Sequence, residues 1–119
     1  MKILVVEDDG LFREAIKAAL LRSGHDVVLA GDGDEAVQIA LSEKFDLVIT
    51  DIFMPGKEGP ETIQEIREMY PEIKIIAISS DGLAGRSSFL KIAEAMGANT
   101  TLQKPFTPAQ LLEKVKTLN

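Results

Sequence analysis

Acidic residues follow two apolar runs of this sequence. Glu7, Asp8 and Asp9 come after residues 3–6, and Asp51 comes after residues 47–50. Carboxylates without His or Cys partners are hard oxygen donors, the ligands that Mg²⁺ prefers. If the two runs form neighbouring strands, Glu7 or Asp8 converges with Asp51 on one pocket. We therefore expect a Mg²⁺ site there.

Asp51 is also a candidate nucleophile toward phosphorus, because a carboxylate can act in covalent catalysis when a metal supplies the electrostatics. Two further side chains follow apolar runs in the same way: Ser79 comes after residues 73–78, and Lys104 after residues 100–103. Lys104 could neutralise a transferred phosphoryl group, and Ser79 could donate a hydrogen bond to it.

Short runs rich in β-branched residues alternate with amphipathic helical patterns along the chain. The runs are almost continuously apolar, which is typical of strands buried on both faces of a parallel sheet. Short connections between strands and helices predict right-handed crossovers and a three-layer α/β sandwich. The predicted strands are Ile3–Val6, Val27–Ala30, Leu47–Thr50, Ile73–Ile78 and the less apolar Thr100–Gln103.

Several residues mark the predicted helix ends. Gly24 suits the end of the first helix, Gly59-Pro60 and Pro71 bound the third, and Thr107 begins a capping box before the fifth. The breaker-rich residues 79–85 precede the fourth helix, and this loop and helix are expected to be the most mobile part. Positions predicted to face the core are Phe12, Ile16, Ala19, Leu20, Ala36, Ile39, Ala40, Ile63, Ile66, Tyr70, Phe89, Ile92, Ala93, Met96, Leu111, Val115 and Leu118.

Each chemical group has an ordinary explanation when it is taken alone. The carboxylates at 7–9 could be solvated, Asp51 could form a turn, Ser79 could cap a helix, and Lys104 could belong to a loop. However, all of them fall at the same end of the predicted sheet, in four different strand–helix units. In a doubly wound sheet, ligands bind beyond the carboxyl ends of the strands. We therefore interpret these residues as one site.

The composition excludes several other classes of protein. The 119 residues contain no Cys and one His, and 19 acidic against 13 basic residues give a net charge of −6. A disulfide scaffold and a thiolate zinc site are thereby excluded. The acidic balance argues against direct nucleic-acid binding. No apolar run approaches the roughly 18 residues of a membrane span, and no signal peptide is recognisable. We expect a single cytoplasmic domain, residues 1–119, that binds no membrane.

The whole chain resembles the CheY-like receiver domains of two-component response regulators. The resemblance rests on an ordered set of motifs: ILVVED at 3–8, DIFMPG at 51–56, IAISS at 76–80 and KPF at 104–106. It implies a doubly wound (βα)5 fold with a central five-stranded parallel sheet in the flavodoxin-like order 2-1-3-4-5. It also implies a cis bond between Lys104 and Pro105.

The resemblance assigns a role to each matching residue. Asp51 would be the phosphoacceptor and a Mg²⁺ ligand, Asp8 a direct ligand and Glu7 a ligand through water. The backbone carbonyl of Phe53 would be the third protein ligand. Lys104 would pair with one phosphoryl oxygen.

The implied activity is transfer of a phosphoryl group from a phosphohistidine to Asp51, followed by slow hydrolysis, so the chain would not be a true enzyme. The donor would be a sensor histidine kinase or a histidine phosphotransfer protein. Ser79 would move to bind a phosphoryl oxygen and so switch the surface of the fourth helix, fifth strand and fifth helix toward an output protein. Thr101 stands at a switch position that is often aromatic in the family. The surface would then respond through Thr101 or by backbone movement alone.

Three other functions are alternatives to this one. A Mg²⁺-dependent aspartyl-phosphate phosphatase would need an acidic residue two places after Asp51, where this chain has Phe53. A flavodoxin-like mononucleotide binder would need Ser, Thr or Gly after the first strand to bind phosphate. This chain has three acidic residues there, at positions 7–9, which would repel a phosphate. A receiver-like interaction module that is not phosphorylated stays open. Also open are the kinase, the output partner, an effector domain beyond Asn119, and the state as a monomer or a phosphorylation-dependent dimer.

Overall fold

Parallel strands alternate with helices in the computed structural model, which describes residues 1–52, 59–79, 91 and 93–118. The strands are β1 (Lys2–Val6), β2 (Asp26–Ala30), β3 (Leu47–Asp51), β4 (Lys74–Ser79) and β5 (Thr100–Gln103). The helices are α1 (Gly10–Arg22), α2 (Gly33–Ser42), α3 (Gly59–Met69), the helical residues 93–96, which we label α4, and α5 (Pro108–Thr117). None of these helices combines the length and apolar character needed to cross a bilayer.

The strands form one parallel sheet in the order β2-β1-β3-β4-β5, which confirms the predicted fold and strand order. Two strands continue one residue further than predicted. Asp51 pairs with Ile78, and Ser79 pairs with Gln103, so both polar residues end a strand instead of following it. The ladder extends because Ile52 N donates to Ile78 O at 3.0 Å, and Lys104 N donates to Ser79 O at 2.7 Å.

The sheet has a packed hydrophobic layer on each face. Leu4 and Val6 of β1 pack on the side of α2, α3 and α4, whereas Ile3 and Val5 pack on the side of α1 and α5. All four side chains have no exposed surface. Burying a side chain of this size contributes roughly 1.5–3 kcal/mol. Burial on both faces explains why the strand sequences are almost continuously apolar.

The helix ends agree with the predictions at Gly24 and Thr107. Gly24 has φ of +86° directly after the last turn of α1, and the Thr107 hydroxyl accepts from Gln110 N in a capping box. Asp9 and Asp32 cap α1 and α2 through their side chains, in addition to the helix ends predicted above.

The fourth predicted helix is only partly described. Ala93 is buried and Met96 is half-buried, as predicted. Phe89, Ile92 and most of the predicted mobile stretch 79–85 lie outside the described residues.

Arg67 joins the end of α3 to the segment between α4 and β5. Its guanidinium donates to the carbonyl oxygens of Pro71 at 2.8 Å and Gly97 at 2.7 Å, and also to Ile73 O. It donates further to Asn99 Oδ1 at 2.8 Å. Gly97 has φ of +119° and lies directly on the Arg67 stem. These contacts lie at the end of the sheet opposite the carboxyl ends of the strands.

Candidate functional site

The predicted carboxylates converge at the carboxyl edge of the sheet. Strands β1 and β3 are hydrogen-bonded neighbours, so Glu7 and Asp8, which follow β1, come to lie beside Asp51 at the end of β3. One carboxylate oxygen of each residue lies within 4.8 Å of the others. Glu7 and Asp51 are buried and Asp8 is exposed. The cluster therefore has a solvent-facing side at Asp8.

The main chain of Glu7 is held on both sides. Its N–H donates to Ala30 O at 3.0 Å, and its carbonyl accepts from the Arg13 guanidinium at 2.8 Å. The Glu7 side chain also accepts, through Oε2, from Asp9 N at 3.1 Å. Asp9 in turn caps α1 by accepting from Leu11 N and Phe12 N. The position of the acidic pair thus depends on the first turn of α1.

Lys104 lies between the two buried carboxylates. Its Nζ donates to Asp51 Oδ2 at 2.7 Å and forms an ion pair with Glu7 Oε1 at the same distance. The Lys104 side chain keeps 22% of its surface exposed. The bond between Lys104 and Pro105 is cis, as the resemblance implied. Lys104 therefore belongs to the same cluster as Glu7 and Asp51, and its predicted pairing with a phosphoryl oxygen stays a prediction.

The charges of the cluster do not balance. Burial raises the pKa of Glu7 to about 7. The hydrogen bond to Lys104 opposes this rise in pKa, and the negative charge of Asp51 adds to it. Burial on its own would lower the pKa of Lys104, but its bonds to Asp51 and Glu7 outweigh this effect and raise that pKa. The cluster contains three carboxylates, and Lys104 contacts two of them, so a bound cation would be stabilised here.

The donor set fits a magnesium ion. Glu7, Asp8 and Asp51 offer only carboxylate oxygens, and these hard donors favour Mg²⁺ over softer metals. The carbonyl of Phe53, implied as a further ligand, lies outside the described residues.

The two predicted switch residues lie on the adjacent strands. Ser79 ends β4 with no exposed surface, and its Oγ has no hydrogen-bond partner among the described residues. Because a buried hydroxyl without a partner is costly, this atom is poised to accept or donate a further bond. Thr101 is half-buried within β5, opposite Ala77. It therefore lies further from the carboxyl edge than Ser79 does.

An aromatic residue, predicted only as a core position of the first helix, also contacts the site. Lys104 Nζ lies 4.5 Å from the centre of the Phe12 ring. The Phe106 ring meets Phe12 edge-to-face, with the centroids 5.1 Å apart and the planes at 76°. Neither contact has a local sequence signal, since residues 12 and 104 meet only through the packing of α1 near α5. The capping role of Asp9, by contrast, could have been recognised from an Asp directly before a helical pattern.

The arrangement can perform a limited set of reactions. Asp51 offers a carboxylate nucleophile, Lys104 a fixed cation beside it, and Glu7 and Asp8 the remaining donors for a divalent cation. A carboxylate nucleophile flanked by cations is suited to accept an anionic group such as a phosphoryl group.

Sequence comparisons find the same family along almost the whole chain. The family model described as the response regulator receiver domain matches residues 3–116. The response regulator protein FleR of Pseudomonas aeruginosa is 37% identical over 116 residues, which cover 96% of this chain and 24% of FleR. The chain therefore spans about a quarter of the length of this curated relative.

Solved structures show the same fold. The chemotaxis protein CheY4 of Vibrio cholerae superposes with a TM-score of 0.89 at 29% identity, covering 99% of this chain and 98% of that one. NtrX from Brucella abortus gives a TM-score of 0.92 at 28% identity, covering 98% of this chain and 26% of that one. A CheY-like receiver domain protein from Methanospirillum hungatei gives 0.89 at 29% identity, with 98% and 90% covered.

Proposed function

Because the chain belongs to the family of response regulator receiver domains, we propose that Asp51 accepts a phosphoryl group from a phosphohistidine. The donor is a sensor histidine kinase or a histidine phosphotransfer protein. The observation that carries the proposal is the position of the Asp51 carboxylate, which lies 2.7 Å from Lys104 Nζ within the cluster formed with Glu7 and Asp8.

The transfer exchanges one bond to phosphorus for another. An Asp51 carboxylate oxygen forms the new P–O bond while the P–N bond of the phosphohistidine breaks, and the leaving imidazole takes up one proton. The Lys104 ammonium neutralises charge on a phosphoryl oxygen, and it is already held beside the nucleophile. Asp51 is only 2% exposed, which limits the access of competing water.

Magnesium is the cofactor of this proposal. Glu7, Asp8 and Asp51 would hold it, and a bound Mg²⁺ would act as a Lewis acid toward the phosphoryl oxygens. The support for this assignment is the carboxylate donor set, whose oxygens lie within 4.8 Å of one another.

Ser79 links phosphorylation to the output surface. Its buried Oγ has no partner among the described residues, and a phosphoryl oxygen at the same sheet edge would supply one. Movement of Ser79 would bias the surface formed by α4, β5 and α5, with Thr101 in its middle strand. This surface would then control an output protein in a cytoplasmic signalling pathway. The chain would act as a monomer or as a phosphorylation-dependent dimer.

We propose a switch with slow self-dephosphorylation and not a rapid phosphatase. Position 53 holds Phe, which cannot act as the general acid or base that rapid turnover needs. With acetyl phosphate in excess, phosphate release should therefore follow the slow decay of phosphorylated Asp51. Release much faster than this decay would indicate an enzyme instead.

The acceptor assignment is tested by labelling with acetyl phosphate and Mg²⁺. Intact-protein mass spectrometry should show the mass of one added phosphoryl group, and Asp51→Asn should abolish it. Asp26→Asn is a matched control, because Asp26 is an exposed carboxylate at the amino end of β2. Undiminished labelling of the Asp51→Asn variant would overturn the proposal.

A further inference from the structure

The Lys104 ammonium has a third partner besides the two carboxylates. The centre of the Phe12 ring lies 4.5 Å from Nζ, whereas Asp51 Oδ2 and Glu7 Oε1 each lie 2.7 Å from it. At this distance a cation over an aromatic face is attracted by the electron-rich ring. The transfer proposed above gives this ring no role.

We propose that Phe12 is a positioning residue for phosphoryl transfer: its ring holds the Lys104 ammonium beside Asp51. This inference rests on the proposed function and adds a specific part to it. Phe12 touches neither the acceptor nor the donor in this role and acts only through Lys104.

The two carboxylates that bind Lys104 do more than hold its ammonium. Both carboxylates have other tasks, because Glu7 and Asp51 belong to the metal cluster and one Asp51 oxygen becomes bonded to phosphorus. The ionic partners of the ammonium therefore change as the reaction proceeds. The Phe12 ring does not change, so it can keep the ammonium in place before and after transfer.

The side chain of Lys104 is long and flexible. Four rotatable carbon–carbon bonds carry the ammonium, and 22% of the side-chain surface is exposed. Without the ring, the ammonium could turn toward water whenever a carboxylate is occupied elsewhere. A fixed neighbour of the ammonium reduces this freedom.

The Phe12 ring is itself held in place. It lies in the first turns of α1, whose N-terminus is capped by Asp9. Phe106 packs edge-to-face on it, at 5.1 Å between centroids. Phe106 follows Lys104 by two residues across the cis bond to Pro105, so the lysine and the ring that supports Phe12 belong to one short segment.

The experiment separates the electrostatic contribution of the ring from its packing. Phe12 is replaced by Leu, by Tyr and, site-specifically, by di- and trifluorinated phenylalanines, which keep the ring size but weaken its attraction for a cation. The rate constant of Asp51 labelling is measured with acetyl phosphate and Mg²⁺. A small donor makes the rate independent of docking by a kinase.

We expect Phe12→Leu to lower the rate constant by about 3- to 10-fold, the factor that corresponds to a partly exposed cation–π contact. Phe12→Tyr should keep most of the rate, and each added fluorine should lower it in steps. Phe45 is the matched control, because its ring lies 5.2 Å from Lys2 Nζ and away from the acceptor. Fluorinated phenylalanine at position 45 should leave the rate unchanged.

A second readout reports the contact without any reaction. The ε-methylene protons of Lys104 should resonate upfield in the parent protein because they lie near the Phe12 ring. The resonance is assigned by its loss in Lys104→Arg, and its upfield shift should disappear in Phe12→Leu. An unchanged resonance in Phe12→Leu would overturn the proposed contact.

The outcomes distinguish this inference from the function on which it rests. If the parent protein is labelled on Asp51 but the rate is the same in Phe12→Leu and in the fluorinated series, the role of Phe12 is overturned and the acceptor assignment stands. If the rate falls in Phe12→Leu but not with fluorination, Phe12 acts by packing, which also overturns the proposed role. If the parent is not labelled at all, the acceptor assignment fails first.

Discussion

Glu7 is a fully buried carboxylate whose charged form is disfavoured in the folded protein. Burial raises its pKa from 4.5 to about 7, so the folded state binds a proton more tightly than the unfolded state does. The contribution of Glu7 to stability therefore falls as pH rises from 4.5 through 7. Glu7→Gln removes this dependence, because Gln resembles the protonated form.

We expect the free energy of unfolding of Glu7→Gln to rise relative to that of the parent protein between pH 5 and pH 8. The change should be on the order of 2 kcal/mol. The free energy of unfolding is measured by urea denaturation with EDTA present. Glu14→Gln is the control, because Glu14 is exposed on α1. A difference between Glu7→Gln and the parent that stays constant, or shrinks, over this range would contradict the argument.

Ser79 should contribute little to the stability of the unphosphorylated protein, because its buried Oγ has no partner among the described residues. We expect Ser79→Ala to leave the unfolding free energy unchanged or to raise it by up to about 1 kcal/mol. Thr50→Val is the comparison, because the Thr50 hydroxyl is buried and donates to Asp51 O at 3.1 Å. That substitution should cost about 1 kcal/mol. Equal losses in both variants, measured by chemical denaturation, would show that Ser79 Oγ is satisfied.

The backbone conformation of the segment between α4 and β5 depends on one glycine. Gly97 has φ of +119°, and an added Cβ would lie 3.1 Å from Arg67 Nε and 3.2 Å from Arg67 Cγ. We expect Gly97→Ala to cost about 2–3 kcal/mol, since backbone strain and displacement of the Arg67 side chain add together.

Gly24 provides the matched control for Gly97. It also has a positive φ, +86°, but an added Cβ would meet no atom within 4 Å. Gly24→Ala should therefore cost only about 1 kcal/mol. Thermal and urea denaturation of the two variants give the comparison, and equal losses would show that the contact with Arg67 does not matter.

The strands and most helix ends could be predicted from the sequence because they depend on local patterns. Runs buried on both faces are apolar throughout. Gly24 is predictable because the end of a helix favours a positive φ, and Thr107 because its hydroxyl can cap the first turn of α5. The Arg67 contacts could not be predicted in this way. Three of the acceptors are backbone carbonyls, which exist at every residue, and only the folded chain brings Pro71, Ile73 and Gly97 to the same guanidinium.

The site also combines residues that local sequence patterns predict with one that only tertiary packing brings there. Glu7, Asp8, Asp51 and Lys104 could be predicted because each stands at the end of a strand, and strand ends meet at one edge of a parallel sheet. Phe12 could not, because its apolar side chain fits the stripe of α1 equally well. Its contact with Lys104 arises from tertiary packing, and a core position and a position over the ammonium look alike in sequence.

We expect Mg²⁺ to raise the melting temperature of the parent protein. At a free Mg²⁺ concentration of ten times its dissociation constant, the ion should add about 1.4 kcal/mol to the free energy of unfolding. Asp8→Asn should melt higher than the parent when EDTA is present, because it removes one like charge from the cluster. It should also respond less to Mg²⁺, because a ligand is lost. Differential scanning calorimetry gives both values.

Asp26→Asn is the control for these measurements and should respond to Mg²⁺ as the parent does. A lower melting temperature of Asp8→Asn in EDTA, together with an unchanged response to Mg²⁺, would contradict the clustered-carboxylate site. It would leave Asp8 as an ordinary solvated residue.

The ion pairs of Lys104 join distant parts of the chain, since 53 residues separate it from Asp51 and Glu7 lies near the beginning of the sequence. During synthesis on the ribosome, the acidic residues emerge well before the lysine does. A nascent chain that ends before residue 104 would carry the acceptor without its fixed cation. Competence for the phosphoryl transfer that we propose would therefore be acquired late, after β5 has joined the sheet, and a truncated translation product would be a poor competitor for the donor.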